Sequence, residues 1–145
     1  MATPTLTVYD FDQVTCVISG IPIDGFDDGE GISIEQTTES FTHVTGSDGK
    51  TVRSKTLDRT AKIMITLLQT SAANDLLSLL HTKDLFEANG AGVGPMLIRD
   101  RNGRANYSAA QCWISKRPDV KFDRTPTPRV WEITCVNLVA IDGGS

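Results

Sequence analysis

Hydrophobic and polar residues alternate along most of this chain with a period of two, the signature of half-buried strands. The clearest run is RTAKIMITLLQT, where Ala61, Ile63, Ile65 and Leu67 point one way and Lys62, Met64, Thr66 and Leu68 the other. At Thr70-Ser71 the period lengthens. Ala73, Leu76, Leu77 and Leu80 then fall at i, i+3, i+4 and i+7, one apolar stripe that predicts a helix over residues 71–83 with these four on its core face. Ser71 suits the N-cap, because its hydroxyl can accept from the N–H of Ala73 or Asn74, which have no carbonyl partner in a first turn. A single helix beside many strands is expected to cover a sheet face or an open barrel end.

Further strands are predicted over 6–19, where Val14, Cys16 and Ile18 alternate with Gln13, Thr15 and Val17, and over 32–41. In the latter, Ile32 and Ile34 face inward and Ser33, Glu35, Thr37 and Glu39 form a long polar row. Between them, Gly20, Pro22 and Gly25 punctuate a turn-rich stretch ending in the acidic DDGEG. Residues 42–58 form an unusually long polar connection. Its β-branched flanks around Asp48-Gly49 predict a protruding hairpin, costly to order unless a neighbouring chain covers it. After the helix come a glycine-rich loop (87–94), a short strand (95–100), an Asn102-Gly103 turn, a strand (107–115), a proline-bearing connection (116–129) and a closing strand (130–140). The whole reads as one mainly β domain, residues 1–145, with residues 1–5 a terminal arm.

Length and composition set limits. At 145 residues and 39% hydrophobic, the chain holds one real core. A formal charge of −4 leaves no basic footprint for nucleic acid. No apolar run approaches the ~18 residues that span a bilayer, and the start lacks a basic-then-apolar leader pattern, so a soluble protein made in the cytoplasm is expected.

Catalytic and metal constellations are not evident. His43 and His81 stand at no metal-ligand spacing, and there is no G-x-S-x-G elbow. Gly90 to Gly94 follows a helix and precedes a strand, the reverse of a phosphate-binding loop, and reads as a flexible connector. Asp24, Asp27, Asp28 and Glu30 lack calcium-loop spacing and read as a solvated acidic turn. Cys16, Cys112 and Cys135 sit in apolar strands and read as reduced core residues. The polar alternate rows and scarce aromatics argue against a ligand-binding barrel with a closed apolar cavity.

Taken in order, YDFDQVTCVISG, HVTGSDGKTVRSKTLDRT, ITLLQTSAANDLLSLL, GVGP with IRDRNG, and CWISKRPD with RVWEITC resemble the tail tube proteins of contractile-tailed bacteriophages. The likeness covers nearly the whole chain and is most specific from Gly46 to Leu80, including Arg53-Ser54 and the LQTS at 68–71. Where that family shows a Thr-alternating strand preceded by glycine, this chain has Ala61, Lys62 and Met64.

The resemblance implies a β-sandwich or partial barrel with a flanking helix, whose strands join a ring-wide β-barrel in a homohexamer. Rings would stack into a tube conducting the genome. Four strands from each of six copies would close a barrel of about 24 strands, wide enough for a duplex. Six copies at −4 each carry −24 formal charges, and an acidic bore keeps phosphate from adhering. On this reading Ser33, Glu35, Thr37, Glu39, Lys62 and Thr66 face the lumen, with Lys62 pairing to Glu35 or Glu39. His43, Asp48, Lys50, Arg53, Lys55, Asp58 and Arg59 contact the next ring. The implied partners are further copies of the chain, a tail sheath, a baseplate and a tape measure protein, with DNA passing unbound. No cofactor, catalysis or membrane is implied; the expected location is the virion tail, assembled in the host cytoplasm. The inner tube of a related injection or secretion device is the alternative.

Overall fold

The computed structural model describes residues 6, 9–27, 29, 31–101 and 103–143. The expected terminal arm, Asp28 and Glu30 of the acidic turn, and Asn102 of the Asn-Gly turn lie outside them. The first strand begins later than its alternation indicates. Phe11–Gln13 forms one 3₁₀ turn, with the Asp10 carboxylate accepting from the Asp12 N–H at 3.0 Å, and β1 is Val14–Ile18. The turn-rich stretch contains an unforeseen strand, β2 (Ile21–Ile23). Ser19 and Gly20, at φ 50° and 81°, make a two-residue hairpin turn in the left-handed region, which matches strand twist.

β3 is Ile32–Gln36 and stops short of the predicted residue 41. Side chains draw the backbone out of the ladder there: Gln36 Nε2 donates to the Thr38 carbonyl and Ser40 Oγ, both at 2.7 Å, and Thr37 Oγ1 donates to the Thr60 carbonyl at 2.5 Å. The polar row is therefore broken after Glu35. Thr37 and Glu39 belong to a turn, not to the strand. β4 (Phe41–Thr45) and β5 (Thr51–Lys55) form the hairpin, a separate two-stranded sheet.

β6 (Ala61–Leu67) buries alternate residues, with Ile63, Ile65 and Leu67 fully enclosed. The helix α1 is Ala73–Phe86, later at both ends than expected. Ser71 lies just outside it, yet its hydroxyl accepts from the Ala73 N–H at 3.3 Å and donates to the Asp24 carbonyl at 2.8 Å. Ala73 and Leu77 are buried and Leu80 packs against the core, but Leu76 is 43% exposed. Its place on the core face is corrected: Ala73, Leu77 and Leu80 turn toward the core, and the flank that carries Leu76 faces outward.

β7 (Gly94–Asp100), β8 (Asn106–Lys116) and β9 (Arg129–Val136) follow. The predicted closing strand is interrupted at Asn137, whose φ of 54° breaks the ladder; β10 (Val139–Ile141) then resumes beside β8. All pairings are antiparallel, in the order β2-β1-β7-β8-β9-β6-β3.

The connection 24–31 joins the two outermost strands of that sheet. Laid flat, β2 and β6 would stand five strand spacings, about 24 Å, apart, yet Gly25 follows the end of β2 by only two residues. The connection is bonded to β6, through Phe26 bridging Leu67 and through the Leu68 N–H donating to the Gly25 carbonyl at 2.9 Å. The sheet is therefore rolled. One curled sheet around a single core, rather than two packed sheets, realises the partial-barrel form of the expectation. Its core runs from Cys16 and Ile18 through Ile98, Cys112 and Ile133 to Leu77 of the helix.

Candidate assembly interface

The rolled sheet has two ends. At one, the connections 37–40 and 56–60 leave the barrel and carry the hairpin. At the other lie α1 and the connection 117–128.

Asp58 ties down the hairpin base: its carboxylate accepts from Thr38 Oγ1 at 2.8 Å, Thr60 Oγ1 at 2.8 Å and the Thr60 N–H at 3.1 Å. These bonds hold its pKa below the ordinary carboxylate value, the Thr38 hydroxyl contributing most. Beyond that base, every residue of β4 and β5 is exposed. One hairpin face carries His43 opposite Arg53, with Arg53 stacked 4.3 Å over the Phe41 ring and Lys55 beside it. The other face carries the pair Val44–Val52. Asp48 caps the turn by accepting from the Lys50 N–H at 3.1 Å. His43, Asp48, Lys50, Arg53 and Lys55 thus share the projecting element, whereas Asp58 and Arg59 belong to its base.

The outward rows of β3, β6 and β9 make a second surface. Register places Glu35 directly opposite Lys62 and Ser33 opposite Met64, with Thr66 farther along the same row. Lys62 pairs with Glu132, Nζ to Oε1 at 2.5 Å, rather than with Glu35 or Glu39. Glu132 sits opposite Met64, one diagonal step from Lys62, and the turn at 37–40 takes Glu39 off the sheet. The Glu132 bond, and then the nearby Glu35 charge, raise the Lys62 pKa above the ordinary lysine value. Thr134 and Ser115 extend the polar surface, their hydroxyls 2.8 Å apart. Glu132 and Thr134 went unassigned in the candidate set because their strand is remote in sequence. Their alternation with Trp131 and Ile133 was the available signal.

The helix shows a third surface. Leu76, Leu79 and Phe86, at one-sided helical spacing, are exposed, Phe86 by 83%. At the hairpin end, an open cavity of about 530 Å³ is walled by Ile34, Phe41, Tyr107, Leu138 and Asp142. Tyr107 donates to Asp142 at 2.6 Å, which raises the phenol's pKa above its ordinary value.

Reactive chemistry is not assembled. The thiols of Cys16, Cys112 and Cys135 are free and buried; burial, then the neighbouring Cys112, push Cys16 up to about 12. The glycine-rich loop is not a loose connector. It wraps the Asp84 carboxylate, which accepts from the Ala91 and Gly92 N–H groups at 3.1 and 3.0 Å, and an acid seated there excludes phosphate. Among the described residues, no group of three His, Cys, Asp or Glu side chains is placed to hold a metal, and no helix is long and apolar enough to cross a membrane.

Three comparisons place this fold. In the solved structures, the anti-feeding prophage cap that terminates its tube aligns with 97% of this chain and 95% of its own, at a TM-score of 0.61 and 6% identity. The sheath/tube terminator of the PVC extracellular contractile injection system aligns over 95% and 99%, at 0.58 and 8%. A chain of that system's sheath-tube complex aligns over 94% and 90%, at 0.56 and 12%. Among curated proteins, structural protein ORF10 of Pseudomonas phage KPP10 is 33% identical, over 96% of this chain and 84% of its own length. The family described as bacteriophage PhiTE tail tube protein matches residues 6–143. With that match and that level of identity, the chain belongs to the bacteriophage PhiTE tail tube protein family and is a structural subunit of a phage tail tube.

Proposed function

We propose that six copies of this chain close a ring, that rings stack head to tail, and that the resulting bore conducts the genome when the tail discharges. The observation that carries this is the exposed hairpin. An isolated two-stranded ribbon is at best marginal in water, yet β4 and β5 project with no residue buried. A neighbouring copy supplies the missing cover. The exposed edges β2 and β3 and the apolar flank of α1 add surfaces that closure removes from water.

The outward face of β3, β6 and β9 is the proposed lumen wall, with Ser33, Glu35, Lys62 and Thr66 joined by Glu132 and Thr134. Lys62 is the one cation on these rows among the described residues, and Glu132 and Glu35 compensate it. Such a wall offers passing phosphates no bare cation, so no counterions are released and the duplex slides without sticking. Thr37 and Glu39 sit at the rim of this wall.

The role is one of architecture, without catalysis or cofactor. A contractile tail, with a sheath around the tube, a baseplate below it and a tape measure protein within it, is the setting. Assembly would take place in the host cytoplasm. The fold shared with tube terminators and a sheath-tube complex supports that setting and also keeps the inner tube of an injection device as a second reading. Negative-stain microscopy of the purified chain tests the proposal: rings or tubes are expected, and monodisperse globules at high concentration refute it. Deleting Ser47 to Lys50 should stop elongation while leaving a folded subunit.

A further inference from the structure

The end of the barrel opposite the hairpin holds a groove of about 510 Å³ between the first turns of α1 and the connection that leads into β9. Arg129 opens β9 there, paired in register with Leu67 at the close of β6. Its side chain is only 9% exposed, and its Nη1 is buried without any hydrogen-bond partner. Its guanidinium lies 5.6 Å from the Phe122 ring centroid, which satisfies no N–H. Arg117 lines the same groove; so does Asp75, but no ion pair within 4.0 Å joins it to either arginine among the described residues. Leaving a buried guanidinium N–H unpaired is expensive, and a carboxylate is the group that satisfies it best. The helix side of the groove is polar, with Gln69, Asn74 and Ser78, while the facing connection offers the exposed apolar side chains of Val120 and Phe122, the latter 82% exposed.

We propose that this groove receives the tip of the hairpin of a second copy, with the Asp48 carboxylate of that copy bonded to Arg129 and Arg117. This rests on the stacked-ring reading and names the receptor for the projecting element. Three observations select this occupant. Asp48 is the only acid between Phe41 and Lys55, and it sits at the turn, where its Oδ1 serves the Lys50 N–H and its Oδ2 has no hydrogen-bond partner among the described residues. The pair Val44–Val52, one step behind the turn, presents exposed apolar surface to match Val120 and Phe122. Hairpin and groove also lie at opposite ends of one barrel, as a head-to-tail contact requires, and five residues per strand reach about 16 Å beyond the body.

The test is cross-linking in assembled tubes. The native thiols are all buried, so a chain carrying Asp48→Cys and Phe122→Cys exposes only the two new ones. Mild oxidation of its tubes should give a ladder of covalent multimers on a non-reducing gel, with neither single variant giving more than dimers. Tubes visible by microscopy that yield no ladder, and whose Phe122→Cys thiol reacts with maleimide as fast as in unassembled chain, would show the groove empty and overturn the proposal while the tube reading stands. If the wild-type chain forms no tubes at all, both fall. Independently, Asp48→Asn keeps the turn's acceptor but removes the charge, and should raise the concentration needed for elongation by about 30-fold. An unchanged threshold overturns the pairing.

Discussion

Truncating Leu77 to alanine separates the pattern of the sequence from the packing of the fold. Periodicity puts Leu76 and Leu77 on the same stripe, but the first is 43% exposed and the second is fully buried beneath α1. Leu77→Ala removes roughly three carbons from the core, a transfer loss of about 2.4 kcal/mol at ~0.8 kcal/mol per carbon. Leu77 packs in one core with Ile18, Cys112 and Trp131, and hydrogen-bonded strands limit how far that wall can collapse into the vacancy. Adding the cavity left behind brings the cost to about 3–4 kcal/mol. At roughly 4 °C per kcal/mol for a chain of this size, the melting midpoint should fall by about 12–16 °C. Leu76→Ala, on the solvent flank, should cost under about 1 kcal/mol. Circular dichroism melts of unassembled chain, paired with urea midpoints, measure both. Equal shifts, or a larger one for Leu76, would mean that the helix faces the sheet with its other flank. Leu76→Asp extends the test: it should melt like wild type yet assemble poorly if, as proposed, a neighbouring copy covers that flank.

Three further outcomes are expected. Maleimide at pH 8 should leave the folded chain unlabelled and mark all three cysteines in urea; because the folded Cys16 keeps its proton up to about 12, stability should decline as pH climbs above the ordinary thiol value of 9.0, a slope that Cys16→Ala flattens. Asp58 runs the opposite way: its lowered value means its contribution is present above the ordinary carboxylate range and is lost as pH falls through the lowered value, so wild type should lose more stability than Asp58→Asn in acid melts. Gly92→Ala should destabilise by about 1–3 kcal/mol in urea titration, since its new Cβ would stand 2.5 Å from Asp84 Cβ; an unshifted midpoint would mean that the loop at 87–93 does not need its wrap around Asp84.

Much of the architecture was legible in the residues themselves. Ala61 to Leu67 alternates so cleanly that strand, register face and burial follow from local periodicity, and the same holds for β9, whereas in β8 the alternation slips between Ala109 and Cys112, where the pairing with β7 shifts register. The hairpin about Asp48-Gly49 and the helix after Ser71 are likewise local events, set by turn chemistry and by a change of period within a few residues. What the chain could not announce is everything that depends on which segments meet. β3 ends at Gln36 because Thr37 and Thr38 find Thr60 and Asp58, twenty or more positions away. Lys62 finds Glu132 because β9, some seventy positions away in sequence, lies beside β6 and puts that carboxylate within reach on the same face. Arg129 is an ordinary basic residue in the sequence; rolling the sheet beneath α1 and the preceding connection buries it and leaves its Nη1 without a partner. Periodicity is a property of one strand or one helix. Partnership is a property of the whole surface, and it is decided only when the sheet closes.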